Sequence, residues 1–207
     1  MRYVLYGAPG SGSGIVEAML AEIGVPCRIE DLDARHGEHR GEAYAARNPH
    51  RKMPTLETPQ GEVLTETVAI VVTLDERHRE AALLPPPGSP ARATALRLMA
   101  FLASELYPVV EMMDYPERFA PPGTTQALHE RAKDLYRARW RIVEQAIAGS
   151  PYLLPEGFCA TDLYITVVSR WDLEPGWQTT MPRVHALTEA VLARPALAPV
   201  WARHVRR

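Results

Sequence analysis

The first third of the chain alternates short apolar runs with polar turns. Residues 3–6 (Tyr-Val-Leu-Tyr) are typical of a buried strand, and residues 26–30 alternate like a second strand. Between them apolar residues recur at helical spacing as far as Gly24, and glycine commonly ends helices. A short helix is then predicted over residues 42–47, and a strand, a turn and another strand follow as far as Leu64. This order of elements predicts an α/β layer.

The remainder of the chain has a helical pattern. Residues 83–88 (Leu-Leu-Pro-Pro-Pro-Gly) cannot continue a helix and predict a linker. Ser89 and Pro90 then form a typical helix start, and Pro108 is expected to bend that helix. We therefore expect an all-helical second half. The predicted helical faces are Met99, Ala103, Leu106 and Val110; Leu128, Ala132, Leu135, Ile142 and Ala146; Leu163, Val167, Val168 and Trp171; Val184, Leu187, Val191 and Leu192; and Leu197, Val200 and Trp201.

Residues 67–74 are the most difficult segment to assign. They are rich in β-branched side chains, which favour strands. On propensity alone, strand and helix are nearly even. We predict a helix because Thr65 can cap it.

The composition is that of an ordinary globular protein. Of the 207 residues, 46% are hydrophobic and 23% are charged, and the net charge of −2 favours neither nucleic acid nor an anionic membrane as a partner. The N-terminus has no signal-peptide pattern, and we expect no apolar run long enough to span a membrane. Cys27 and Cys159 are far apart and form no Cys-x-x-Cys pair, so we expect a reducing, cytoplasmic location.

Two neighbouring segments carry the most chemical information. Residues 52–56 (Lys-Met-Pro-Thr-Leu) place Pro54 in a short extended run, where a cis Met53–Pro54 bond would turn the backbone of Met53 outward towards a ligand. Ten residues later, Glu66 and Thr67 open the predicted helix, where free N–H groups and the helix dipole attract anions. A ligand with a peptide-like backbone and a carboxylate would fit both segments.

With these motifs the chain resembles the cytosolic glutathione S-transferase family over nearly its whole length. Two further segments support the resemblance: residues 48–52 (Asn-Pro-His-Arg-Lys), and residues 158–162 (Phe-Cys-Ala-Thr-Asp), which resemble a helix N-capping box. The resemblance implies a thioredoxin-like α/β domain at residues 1–78, a linker at 79–88 and an all-α domain at 89–207. It also implies a homodimer and a helix at residues 67–74.

Two residues depart from the family pattern. Cys159 stands where a serine or threonine usually caps the helix, and a thiol is a weak acceptor. Arg51 replaces the usual glycine of the Asn-Pro-x-Gly loop. The capping bond and the shape of that loop are therefore the two details to examine.

The resemblance implies that glutathione is the co-substrate and that no metal is needed. Lys52, Met53, Pro54, Glu66 and Thr67 would bind it, with the backbone of Met53 on the cysteinyl part and Glu66 and Thr67 on the γ-glutamyl carboxylate and amine. The enzyme must hold the thiol as a thiolate, which a nearby hydroxyl and helix N-terminal N–H groups stabilise.

Three hydroxyls are candidate thiolate donors. Ser11 lies at the head of the first helix, Ser13 follows it, and Tyr6 falls where tyrosine-type classes carry their tyrosine. The cysteine of bacterial beta-class members aligns with Gly12, which disfavours mixed-disulfide chemistry. Serines between glycines are also common turn and cap residues, and a tyrosine at a strand end is often a packing residue.

A hydrophobic electrophile is expected on the helical domain, and a Met and aromatic stripe there suits apolar, adaptable ligands. The same side chains are also typical of a core. The proposed acceptor residues are Tyr107, Met112 and Tyr115 on the fourth helix and Trp171 on the sixth.

Three functions remain open from the sequence. The first is transfer of glutathione to hydrophobic electrophiles, as in detoxification, with glutathione-dependent isomerisation or peroxide reduction as variants. The second is a binding or regulatory protein that keeps the fold without catalysis, against which the retention of Glu66 and Thr67 argues. The third is a thiol–disulfide oxidoreductase, against which Gly12 argues.

Overall fold

A computed structural model describes residues 2–171 and 176–204. The chain divides into two compact units: residues up to Leu83 together with those from Val191 onwards, and Leu84–Ala190. The segment from Val191 onwards therefore belongs to the unit that contains the sheet, whereas the sequence grouped it with the helical domain. That residues 79–88 act as a linker stays a prediction.

The first unit contains a four-stranded sheet with the order β2-β1-β3-β4. Its strands are β1 (Tyr3–Gly7), β2 (Cys27–Asp31), β3 (Thr55–Glu57) and β4 (Val63–Thr65). β1 pairs parallel with β2 and antiparallel with β3, and β3 pairs antiparallel with β4. The thioredoxin-like layer predicted from the sequence is confirmed.

Helices pack against this sheet. α1 (Ser13–Ile23) ends at Gly24, whose φ of 78° is left-handed, as the glycine predicted. α2 (Glu42–Ala45) is a single turn, and α3 (Thr67–Arg77) packs on α1. The largest fully buried apolar side chains of this unit are Leu5, Ile15, Met19, Leu20, Leu56, Ile70 and Leu74.

The disputed segment 67–74 is helical, because burial of its apolar face overrides the β-branched propensity. The predicted cap is wrong, however. Thr65 is the last residue of β4, and Glu66 takes the N-cap position without a side-chain capping bond.

The second unit is helical, as predicted. Its helices are α4 (Pro90–Phe101), α5 (Tyr107–Asp114), α6 (Thr125–Ala146), α7 (Ala160–Val168), α8 (Trp177–Thr180) and α9 (Pro182–Leu192), the last of which runs into the first unit at Val191. Ser89 caps α4 by accepting a hydrogen bond from the Arg92 N–H at 3.1 Å.

A π-helical turn, Leu102–Leu106, joins α4 to α5 just before Pro108. A wider turn accommodates the missing N–H and the ring of a proline inside a helix. By length and composition the continuous helix Pro90–Asp114 could cross a membrane, contrary to the expectation from the sequence. A core helix of a soluble protein passes the same test, and Leu98 and Met99 are completely buried here.

The buried residues of α6 share Ala132 with the predicted face and otherwise differ from it. The structure buries Ala132, Tyr136, Trp140 and Val143, whereas the predicted Ile142 is 44% exposed. The observed set keeps helical spacing but is led by two aromatic rings, which stack edge to face at 6.0 Å. Large aromatic side chains bury more area than Leu or Ile, so they select the face.

The last described helix, α10 (Ala198–His204), belongs to the first unit and packs on α1. The indole N–H of Trp201 donates to the Val191 carbonyl at 3.3 Å. Arg194 binds Glu22 of α1 through two hydrogen bonds of 2.5 and 2.7 Å. The hydrogen bonds of Arg194 to Glu22 thus join the segment that leads into α10 to α1, within the sheet unit.

The N-terminus of α7 has the predicted capping box, with Cys159 as N-cap. The Asp162 carboxylate is fully buried and accepts hydrogen bonds from the N–H groups of Cys159 at 2.7 Å and Leu153 at 2.8 Å. The Asp162 N–H faces the Cys159 sulfur. Burial raises the pKa of the Cys159 thiol to about 12, so the cap is a neutral thiol.

We predict that Cys159→Ser raises the free energy of unfolding by up to about 1 kcal/mol, because a hydroxyl accepts from the Asp162 N–H better than a thiol does. Cys159→Ala is the matched control and should lower it by a similar amount. Denaturant unfolding measures both. A serine variant no more stable than the alanine variant would show that the sulfur contributes by packing alone.

Candidate functional site

The register of the sheet places three polar segments at one edge. Gly7, at the end of β1, is followed by the turn that leads into α1. Tyr6 pairs with Thr55, the first residue of β3, so this turn lies beside the Met53–Pro54 segment. Thr55 also pairs with Thr65, the last residue of β4, which brings the start of α3 to the same edge. The segments singled out in the sequence therefore converge.

The turn after β1 has the form of a type II turn over residues 8–11. The Ser11 N–H donates to the Ala8 carbonyl at 3.1 Å, and Gly10 has a φ of 77°. The Ser11 hydroxyl lies 2.7 Å from that same carbonyl oxygen and 2.8 Å from the Ser13 hydroxyl. It also accepts from the Ser13 N–H at 3.2 Å. These hydrogen bonds hold the Ser11 oxygen in place. Because Ser11 is only half-buried, it remains accessible.

Ser13 occupies a different environment. It is 1% exposed and packs so tightly on Gly7 that a Cβ there would come within 2.4 Å of the Ser13 Cβ. Its hydroxyl lies 3.3 Å from both the N–H and the carbonyl oxygen of Ala8. Ser13 therefore supports Ser11 from inside.

A backbone donor lies between the two serines. The N–H of Gly12, a buried residue, has no hydrogen-bond partner in the part of the chain that the structure describes. Gly12 is the N-cap of α1, where the helix dipole is positive. Buried backbone donors are normally paired, so an open one next to a hydroxyl fits an anionic ligand atom.

Tyr6 faces another direction. Gly7 packs on Ser13 of α1, so α1 covers this face of β1. Because side chains alternate along a strand, the Tyr6 side chain lies on the opposite face, where its ring centre is 6.4 Å from that of Tyr44. Its hydroxyl donates to Glu57 at 3.4 Å, and Glu57 pairs with Val4, back along β1. The Tyr6 hydroxyl therefore points away from the turn.

Two buried residues, Tyr44 and Asn48, support the loop before β3. Neither was predicted from the sequence to be a site residue. The Asn48 amide donates to the Lys52 carbonyl at 2.7 Å and to the Thr55 hydroxyl at 3.2 Å. The Tyr44 hydroxyl reaches the same two groups at 2.9 and 2.7 Å. A polar side chain just before a proline, as in Asn48-Pro49, is the signal that could have revealed this support.

The Met53–Pro54 bond is cis, as predicted. Pro54 is buried and Met53 is half-exposed. Within the described residues, the backbone N–H and carbonyl of Met53 make no hydrogen bond. These groups lie beside β3 and are open to an extended, peptide-like ligand. The exposed Lys52 side chain precedes them.

Glu66 and Thr67 form the third segment. Glu66 is exposed and has φ 63° and ψ 112°, a conformation that costs a non-glycine residue about 1–3 kcal/mol. The first N–H groups of α3, beginning with Thr67, have no partner within the helix. His50 lies 3.8 Å from the Glu66 carboxylate. A strained acidic residue next to free helix N–H groups can bind both an amine and a carboxylate.

The chain is similar in sequence to known glutathione S-transferases. Residues 13–77 match the model of the glutathione S-transferase N-terminal domain. The chain is 30% identical over 204 residues, 97% of each sequence, to the uncharacterized GST-like protein YncG of Escherichia coli. The chain belongs to the glutathione S-transferase family.

Two further relatives are similar over most of their length. Glutathione S-transferase GstA of Escherichia coli is 27% identical over 171 residues, which is 81% of each chain. A glutathione transferase homolog from Sulfitobacter, solved with bound glutathione, is 25% identical with a TM-score of 0.89 over 97% of each chain. The glutathione transferase fold thus extends over the whole chain.

Two of the four predicted acceptor residues meet in the helical unit of this transferase-family chain. The rings of Tyr107 and Trp171 contact edge to face at 5.1 Å. Trp171 lies three residues beyond the end of α7, whereas the sequence placed it on a helix. Burial raises the pKa of Tyr107 to about 12, so its phenol is neutral and offers a donor.

The other two lie elsewhere. Met112 follows Tyr107 by five residues, which places it about 140° further around α5. Tyr115 lies beyond the end of α5, is 41% exposed and holds the Arg118 guanidinium 3.8 Å from its ring centre. Of the four predicted acceptor residues, Tyr107 and Trp171 are thus the pair whose contact is seen in the described part of the chain.

The opposite edge of the sheet is separate from the candidate site. A cavity of about 740 Å³ opens there between Tyr3, Pro26, Pro59 and Arg77. Cys27 pairs with Tyr3 at that same edge, and burial raises the pKa of its thiol to about 11. Among the described residues no group of three or more His, Cys, Asp or Glu is arranged to hold a metal ion.

Arg51, which stands where the family pattern has a glycine, has a φ of 56°, in the left-handed region that favours glycine. Its N–H closes the turn on the Asn48 carbonyl at 2.8 Å, and its guanidinium pairs with Glu42 at 2.6 Å on the exposed surface. A left-handed conformation disfavours an arginine by about 1–2 kcal/mol, while an exposed ion pair contributes about 0–1 kcal/mol. The strain therefore exceeds the gain.

We predict that Arg51→Gly raises the free energy of unfolding by about 0.5–1 kcal/mol, because glycine relieves the left-handed strain. Arg51→Ala keeps the strain and loses the Glu42 ion pair, so it should be neutral or slightly destabilising. Thermal and denaturant unfolding of the two variants distinguish these effects. Because both variants lose the ion pair, a glycine variant less stable than the alanine variant would contradict the proposed strain at residue 51.

Proposed function

We propose that this protein is a glutathione transferase that binds glutathione along the edge formed by Met53, Glu66 and Thr67 and activates its thiol at Ser11. The observation that carries the proposal is the convergence, at one sheet edge, of an open backbone, a strained acidic helix start and a hydroxyl at the head of α1. The bound glutathione in the Sulfitobacter homolog supports the same ligand.

The peptide-like middle of glutathione suits the backbone of Met53. Its N–H and carbonyl are unpaired within the described residues and can extend the pairing of β3. Glu66 would bind the γ-glutamyl amine, and the hydroxyl and N–H of Thr67 its carboxylate, helped by the α3 dipole. The exposed Lys52 adds a positive charge near the remaining carboxylate.

The two serines provide a route to thiolate stabilisation. The Ser11 hydroxyl has one hydrogen, which can point to the Ala8 carbonyl, to Ser13 or to a ligand sulfur. When it turns to the sulfur, the Ser13 hydroxyl can donate to Ser11 or to the Ala8 carbonyl. The Gly12 N–H supplies a second donor. Together these groups favour the thiolate over the thiol.

The electrophile is proposed to be a small hydrophobic molecule that contacts the Tyr107–Trp171 ring pair. Attack of the thiolate forms a carbon–sulfur bond. In an addition the C=C π bond breaks and its electron pair takes up a proton from water, whereas in a substitution the bond to the leaving group breaks and the leaving group departs with that electron pair. We keep the homodimer, the cytoplasmic location and a role in detoxification as proposals that follow from the family resemblance. A panel of electrophiles, an isomerisable diketo acid and an organic hydroperoxide, each assayed with glutathione, separates transfer from isomerase and peroxidase activity.

We predict that Glu66→Ala weakens glutathione binding by about 1.5–3 kcal/mol, the usual size of a hydrogen bond to a charged group. Calorimetric titration of glutathione into the purified protein measures the change in Kd. Glu80→Ala is the matched control, because Glu80 is equally exposed and pairs with a histidine, but lies beyond the end of α3. Equal dissociation constants for wild type and Glu66→Ala would remove Glu66 from the site.

We predict that Ser11→Ala lowers kcat about ten- to a thousandfold, the range for loss of one preorganised donor. The pKa of bound glutathione should rise, while its Kd changes little because Glu66 and Thr67 hold the other end. Thiolate absorbance against pH and steady-state kinetics give both quantities.

Ser13→Ala and Tyr6→Phe are the comparison variants. Ser13→Ala should reduce kcat less than Ser11→Ala, because Ser13 acts through Ser11, and Tyr6→Phe should leave kcat nearly unchanged. Loss of activity in Tyr6→Phe with a silent Ser11→Ala would identify a tyrosine-type enzyme. If glutathione binds but no substrate of the panel reacts, the protein is a binding or regulatory member of the family.

A further inference from the structure

The imidazole of His204, in α10, reaches the turn that carries Ser11. Its Nδ1 accepts a hydrogen bond from the Gly10 N–H at 3.1 Å, across 194 residues of sequence. A type II turn does not use this N–H for its own closing bond, which is made by Ser11. His204 therefore binds a backbone N–H of the turn that takes no part in the closing bond.

The ring of His204 is held in a defined orientation. Its Nε2 lies 2.9 Å from a Glu17 carboxylate oxygen, and the side chain is only 4% exposed. Because Nδ1 accepts from Gly10, the proton belongs on Nε2, which donates to Glu17. The ring thus connects the turn directly to α1.

A second layer of charges holds Glu17 itself. The Arg203 guanidinium donates to the other Glu17 oxygen at 3.0 Å and to both oxygens of Asp31 at 2.8 and 3.2 Å. Asp31 ends β2, opposite Gly7 at the end of β1. The hydrogen bonds to Asp31 raise the pKa of Arg203, so this cation is fixed. The cluster ties α10, α1 and the sheet edge into one frame.

The contact between His204 and α1 has no spare room. A Cβ at Gly14 would come within 2.9 Å of the His204 Nδ1 and 3.1 Å of its Cγ. The ring therefore rests on the first turn of α1, directly beside the serines. This close contact with Gly14, together with a hydrogen bond at each ring nitrogen, specifies both the position and the tautomer of His204.

We propose that His204 is a positioning residue for thiol activation: it holds Gly10 so that the Ser11 hydroxyl and the Gly12 N–H face the sulfur of glutathione. This inference rests on the proposed transferase function. His204 does not contact the reacting atoms; it acts through the Gly10 N–H. It contributes by keeping the donors in place before the thiolate forms, which is where preorganisation lowers a barrier.

Three substitutions separate the two hydrogen bonds of the ring. In His204→Asn the amide oxygen takes the place of Nδ1, so the Gly10 bond is kept and the Glu17 bond is lost. In His204→Gln the amide reaches the place of Nε2, so the opposite holds. His204→Ala loses both. His36→Ala, in an exposed loop of the same unit, is the matched control.

We expect His204→Ala and His204→Gln to lower kcat about three- to thirtyfold and to raise the pKa of bound glutathione, with the KM for glutathione within about twofold of wild type, since one preorganised donor is weakened rather than removed. His204→Asn should recover most of the activity, and His36→Ala should match wild type. Equal activity in all four variants, or a loss in His204→Ala that His204→Asn does not restore, would overturn the proposal.

Hydrogen exchange of the Gly10 amide in the ligand-free protein tests the same idea without catalysis. Exchange should be slow in wild type and His204→Asn and faster in His204→Ala and His204→Gln. A silent Ser11→Ala would overturn the proposed catalytic role of the turn and leave this exchange result standing. Unchanged Gly10 exchange in His204→Ala would overturn the positioning role even in an active transferase.

Discussion

Thr55 pairs across to Tyr6 on one side and to Thr65 on the other, and its buried hydroxyl bonds to Tyr44 and Asn48. Through this residue the ends of three strands share one edge of the sheet. A slip of one residue in the pairing of β3 would turn the Thr55 hydroxyl to the wrong face and break its buried hydrogen bonds to Asn48 and Tyr44. The buried hydrogen bonds therefore select the register, and the register places the ligand-binding segments side by side.

Local strain is concentrated beside this pairing. Arg51 and Glu66 both have left-handed φ angles, and they flank β3 and β4 on the side of the site. Such conformations persist only where neighbouring contacts hold them. Arg51 is held by the Asn48 carbonyl, and Glu66 by the switch from strand to helix between Thr65 and Thr67. In this conformation the Glu66 side chain makes no capping bond and is exposed.

The sequence was sufficient where the information is local. Prolines, glycines and apolar spacing predicted the strands, the helical second half, the Gly24 stop and the cis bond at Pro54. It was insufficient where two patterns overlap, as on α6, where Trp140 and Tyr136 rather than Ile142 take the core. His204 had no signal at all, because its partner lies 194 residues away and no periodicity connects them.

The candidate site has two parts, one at β3 and the start of α3 and the other at the head of α1. Their different positions have a chemical consequence. In the proposed binding mode, groups at β3 and α3 contact the backbone and termini of glutathione in the same way before and during reaction, so they add affinity without adding rate. In the same proposal, the donors at the head of α1, the Ser11 hydroxyl and the Gly12 N–H, interact more strongly with a thiolate than with a thiol. The turn that carries these donors is held by the hydrogen bond that the Gly10 N–H donates to His204 of α10. The groups proposed to bind the backbone and termini of glutathione are positioned by the sheet instead. Changes in the α10 segment can therefore alter thiol activation while leaving glutathione affinity intact, which allows one fold to carry both catalysts and glutathione-binding proteins.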